Sequence, residues 1–211
     1  MMSNMNDPKE NLSLTIEAPY SLNYLIFMQN IFLNNTKTEV DDNNRNFPFP
    51  YFNSSNWGVL KEEKFDSKFK EIWSEITYKN EQSGYDHNGI LEQDSRIYKQ
   101  LFSNNIDGEH GFPESIKLFL SWWGGFHGKI AIERLFESEN GQEVYFDFLN
   151  AINSNNYIIT TKRFKINLIY DKQLLVDTTS TSSHFVLPIE ELFMNRNKIA
   201  YNLLKNFKRS T

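Results

Sequence analysis

The sequence predicts an α+β fold, a mainly helical body of five to six helices with a carboxyl-terminal, three-stranded antiparallel β-meander and a final amphipathic helix. Three observations point there. Apolar residues recur at helical spacing through most of residues 20–152, then Ile, Thr, Phe and Tyr crowd an alternating run at 157–187, and helical spacing returns from 189. Aromatics make up 15% of the chain, including 18 Phe and 4 Trp, enough to fill a sizeable core. At 211 residues the chain reads as an amino-terminal arm (1–11) followed by one domain (12–211).

Taken in order, Leu12 to Ile16 alternates apolar and polar, the period of a short strand. Pro19 fits the first turn of a helix, where its missing N–H costs nothing. From Tyr20 to Leu33 the chain is apolar nearly all round, which predicts a central helix buried on several sides. Residues 34–56 form a long polar connection in which Phe47, Phe49, Tyr51 and Phe52 flank Pro48 and Pro50. Proline restricts itself and its predecessor to extended geometry, so this segment is expected to be a loop pinned by its aromatics, or a flap over a groove.

Between Trp57 and Tyr78, Phe65, Phe69, Ile72, Trp73 and Ile76 make one helical stripe opposite a charged face. Residues 80–89 break the chain, and 90–102 supply a shorter helix. A polar loop then leads to Pro113 as a helix start, with Glu114 in the first turn. The stripe from Ile116 to Leu135 is interrupted by Trp122-Trp123-Gly124-Gly125-Phe126-His127-Gly128. Each glycine costs a helix interior about 1 kcal/mol against alanine, so the helix either breaks there or is held by close packing. Residues 143–152 read as a helix with strand ambiguity. Tyr157–Tyr170, Leu174–Thr178 and His184–Leu187 read as the meander, and 189–209 as the last helix.

Composition excludes several function classes. Cysteine is absent, which removes disulfides, thiolate metal sites and a cysteine nucleophile. No glycine-rich phosphate loop, G-x-S-x-G elbow or H-E-x-x-H pair occurs. A formal net charge of -5 disfavours nucleic acid as a partner and suits a basic protein. The polar amino terminus and the lack of a long apolar run lead to the expectation of a cytoplasmic protein without a membrane segment, and no cofactor or metal is implied.

Two functions are weighed. The first is a non-enzymatic interaction protein (an inhibitor, immunity-type or regulatory partner), with Phe47, Phe49, Tyr51, Phe52 and Tyr85 as anchors because exposed aromatics dominate interfaces. The alternative is a small-molecule-binding or metal-assisted hydrolytic domain, its pocket at Trp122–Gly128 walled by Trp122 and Trp123. There His127 and the loop residue His110 would be the polar groups, since imidazole titrates near neutrality. Buried aromatics are core more often than site, so the first is preferred.

Overall fold

A computed structural model describes residues 12–36, 52–82, 86–87, 89–126, 128–137, 139–155, 163–177, 181, 183–194, 199–200 and 204. Strand β1 (Ser13–Glu17) leads through Pro19 into helix α1 (Tyr20–Thr36). Helix α2 (Glu62–Glu81) follows, then the single turns α3 (Ile90–Gln93) and α4 (Ser95–Tyr98) and a 3-10 turn (Lys99–Leu101). Helices α5 (Ile106–Trp123), α6 (Lys129–Glu137) and α7 (Glu139–Asn155) precede strands β2 (Arg163–Ile169) and β3 (His184–Pro188) and helix α8 (Ile189–Met194). Residues 199, 200 and 204 are helical, and the rest of the expected 189–209 helix lies outside the described residues, as does the 1–11 arm. No helix among the described residues is long and apolar enough to cross a membrane.

Helix α1 is the centre of the molecule, with every residue from Ser21 to Phe32 buried. Its stripe-free apolar sequence demands cover on all sides, which α2, α5 and the sheet provide. The α2 stripe is buried throughout, with Phe32, Phe65, Phe69 and Trp73 stacked in series. The glycines after Trp123 divide the 115–135 stripe into α5 and α6, and 143–152 resolves as part of helix α7.

The expected antiparallel meander does not form. Strand β2 lies between β1 and β3 and pairs parallel with both, Leu14 opposite Phe164 and Ile166 opposite Phe185. Residues 174–176 bend and form no strand, and 156–162 lie outside the described residues. Alternation along a strand records which side is buried and is blind to strand direction. Direction is set here by α1. Gln29 accepts from Leu174 N at 2.7 Å and donates to Lys172 O at 2.9 Å, while Asn30 donates to Asp171 Oδ2 at 2.8 Å. Asn23 accepts from Tyr170 N at 2.9 Å and donates to Leu168 O at 2.9 Å. These bonds hold residues 168–175 against α1, ahead of a strand that enters the sheet from the same end as β2. Parallel pairing needs a crossover of about a dozen residues or more. Strand β2 is buried on both sides accordingly, from Phe164, Ile166 and Leu168 to Asn167 and Ile169.

Two further expectations are corrected. Helix α5 starts at Ile106, where the Asn105 side chain accepts from Gly108 N at 2.9 Å, so Pro113 lies inside the helix and does not open it. Eight α-helices are present among the described residues, because the 90–102 stretch splits into short turns and the 115–135 stripe into two.

Candidate functional site

Of the anchors expected from the sequence, Phe47, Phe49, Tyr51 and Tyr85 lie outside the described residues, as does His127. Phe52 is half-buried, its ring 6.1 Å from Phe27 of α1. Trp123 is fully buried, stacked on Phe119 at 5.8 Å and edge-on to Tyr20 at 6.5 Å. Trp122 lies 4.7 Å from Tyr170, edge-on, and 6.2 Å from Phe27. Both tryptophans thus join the aromatic core. A Cβ on Gly128 would stand 2.3 Å from Trp123 O, so this glycine lets the α5–α6 turn close against the Trp123 backbone. His110 is exposed near the start of α5, about 18 Å along the helix axis from Trp122 at 1.5 Å per residue. It does not meet the tryptophans.

Among the described residues a broad concavity lies elsewhere. A cavity of about 890 Å³ opens between the last turn of α1, the 54–61 segment, the first turn of α2 and residues 103–107. A second of about 690 Å³ shares Leu60, Glu63, Lys64 and Ser103 with it and runs on to Lys68 and Gln100. Together they form one trough. Phe32, Val59, Leu60 and Phe102 give it an apolar floor, and Lys61, Glu62, Glu63, Lys64 and Asp107 a rim of mixed charge. Its base is a two-strand contact: Val59 bridges Phe102, Leu60 N donates to Leu101 O at 3.0 Å, and Ser103 N to Gly58 O at 2.7 Å. Gly58 holds a positive φ of 60°, a conformation that side chains other than glycine's resist. Asn35 ties α1 to Ser54 at the far wall. The sequence signal for this site was Asn105 before Asp107 and Glu109, a helix cap with acidic first-turn residues.

A polar cluster occupies one side of the sheet. Lys165 Nζ lies 2.5 Å from Glu17 Oε1 and donates to Asn80 O at 2.9 Å, while Thr181 donates to Glu81 at 2.6 Å. His184 pairs in register with Lys165 and is buried. Burial holds its imidazole below the ordinary 6.5; Glu81 raises it somewhat and Lys165 opposes it. The unfolded chain therefore binds a proton that the folded chain refuses between the two values. Stability from this group is complete above about pH 6.5 and falls as pH drops through the folded value. Urea unfolding stepped from about pH 7 to about pH 5 is expected to show that decline, and His184→Gln to lessen it. Equal slopes for both proteins would contradict this assignment.

A third cavity of about 480 Å³ at the β1–α1 junction is lined by Glu17, Asp86, Lys129 and Glu133 among others. Each carboxylate there is answered. Glu17 has Lys165, Glu133 has Lys129 at 3.4 Å, and Asp86 accepts from Tyr20 N and Ser21 N at 2.7 and 2.8 Å. Desolvation raises the Asp86 carboxyl, its hydrogen bonds from Ser21 and Tyr20 opposing. Among the described residues no group of three or more histidines and carboxylates is placed to hold a metal.

No family model matches this sequence, and no curated protein or solved structure matches it either.

Proposed function

We propose that this protein acts by binding another macromolecule, and that the trough along Val59–Lys64 and Gln100–Asp107 receives an extended, net-basic segment of a protein partner. The observation that carries the reading is the trough's continuity. Two cavities sharing four residues make a channel with an apolar floor and charged rim, which suits a chain of side chains better than one compact ligand. Ile106, 88% exposed beside Asp107, is a ready apolar contact at its edge. The net charge of -5 favours capture of a basic segment and suppresses acidic ones.

The alternative pocket at Trp122–Gly128 has less behind it. Trp123 and Trp122 are spent on the core, and His110 is a helix length away.

The test is affinity capture from the cell lysate at low salt, followed by titration of the purified partner against wild type and the double variant Ile106→Asp, Glu63→Lys. Both positions are exposed, so melting temperature should hold within about 2 °C. Affinity is expected to fall at least about tenfold, roughly 1.4 kcal/mol. Failure to capture any partner, or a partner bound equally by the variant, removes this reading.

A further inference from the structure

We infer that the polar side of the sheet carries a second site, a buried seat for a small neutral guest bearing hydroxyl groups, held by Asn167 and His184 on adjacent strands beneath Asn80 of α2. Asn167 is 0% and His184 1% exposed, yet neither amide atom of the first nor either ring nitrogen of the second has a hydrogen-bond partner in the protein. Asn80 Oδ1 and Thr77 Oγ1, one turn apart on α2, share that condition, as does Glu17 Oε1, opposite Asn167 in register and 2.5 Å from Lys165 Nζ. Asn167, His184 and the Asn80 end of α2 belong to one place. Register sets Asn167 and Lys165 on the same side of β2, and Lys165 opposite His184. Lys165 donates to the Asn80 carbonyl, and Thr181 to Glu81, so the end of α2 is fastened over that side of the sheet.

Buried polar atoms in folded proteins almost always have partners, and each exception calls for a cause. One orphan could be a packing accident. Orphans on two neighbouring strands and on the helix above them point to a shared partner that is not part of the chain.

The chemistry of the set selects that partner. Lys165 and Glu17 neutralise each other at 2.5 Å. The remaining groups are a primary amide, an amide oxygen, a hydroxyl and an imidazole, which together donate and accept. A carboxylate or a fully ionised phosphate would only accept, and an ammonium or metal ion would leave the donors unpaired. A hydroxyl does both. Its source is either ordered water or a hydroxyl-bearing small molecule retained from the cell. This site is independent of the trough, and the proposal stands whether or not a protein partner binds there.

The test has two parts, both on the full chain. A high-resolution crystal structure, with mass spectrometry of the small molecules released on denaturation, separates the sources. Discrete water density bonded to Asn167 and His184 supports a water seat, and a stoichiometric hydroxyl compound supports an organic guest. Density in which both residues touch only protein atoms overturns the proposal. Thermal melting of Asn167→Leu, His184→Phe and the double variant reads the same question without crystals. A shared guest predicts that each single variant lowers the melting temperature by roughly 2–4 °C or more, and that the double variant lowers it by less than the sum. Truly unpaired groups predict the reverse, because an apolar side chain of similar shape relieves a buried orphan. A rise in melting temperature for either single variant would overturn the inference.

Discussion

Trp123→Ala is expected to destabilise the protein by about 3–5 kcal/mol, lowering the melting temperature by roughly 6–20 °C. The ring is fully buried and meets Phe119, Tyr20, Trp122 and Tyr170 at centroid distances from 5.7 to 6.5 Å. Removing it takes contact from all four at once, at the junction of α1, α5 and the start of the crossover. The neighbours cannot collapse into the gap, because Gly128 already seats the α6 turn against the Trp123 backbone. With total stability of ordinary domains near 5–15 kcal/mol, this one change takes a large share of it. Thermal and urea denaturation followed by circular dichroism measure it. A loss under about 1 kcal/mol would mean that the ring fills no core, and would return weight to a ligand pocket at Trp122–Gly128. The prediction therefore separates two readings of the same seven residues.

Helices were largely legible because their evidence is local. The α2 stripe Phe65, Phe69, Ile72, Trp73 and Ile76 is buried as its spacing requires, and the glycines after Trp123 end α5 where the stripe breaks. Strand direction was not legible. It depends on Gln29, Asn30 and Asn23 gripping residues 168–175, contacts some 140 or more positions apart in sequence, among residue types too common to stand out. The start of α5 was missed for another reason. Pro113 is a strong local signal for a helix start, yet the Asn105 cap and the packing of Gly108 and Gly111 carry the helix through it.

The candidate sites followed the same division. The conspicuous residues Trp122, Trp123 and Phe52 are core or half-core, and Phe126 is exposed. The trough and the polar seat are made of Val59, Leu60, Lys165, Asn167 and their like, which gain meaning only from where the chain puts them. Asn167 alternates in sequence with Ile166 and Leu168, a pattern that does not say whether its side of the sheet is covered. Parallel pairing with both sides of the sheet covered turned that position inward.

Gly111→Ala should be the second large effect, and it bears on function directly. A Cβ there would lie 2.1 Å from Trp57 O and 2.4 Å from Trp57 Cα. Both are backbone atoms, so no side-chain rotation makes room, and α5 must part from the 57–58 segment. Nearby, a Cβ on Gly108 would lie 1.9 Å from Ser103 O, and one on Gly58 would lie 2.4 Å from Gly108 N. Three glycines thus allow two backbones to touch beside the trough, and Gly58 and the 103–107 turn line its wall. Overpacking of a tight site costs about 1–3 kcal/mol and more where backbone must move, so a loss near 3 kcal/mol is expected in urea unfolding. Gly89→Ala is the control. Its Cβ would meet only the His87 ring, at 3.7 Å, and stability should stay within about 0.5 kcal/mol. An unchanged Gly111→Ala protein would show that α5 and residue 57 are not in this contact. If the variant is weakened but folded at low temperature, its affinity for the captured partner should fall as well. Glycine offers no side chain to a ligand, so that loss would come from the altered shape of the trough, where the Ile106→Asp, Glu63→Lys variant alters its surface chemistry. Loss of binding in both would tie recognition to this face through two independent physical causes.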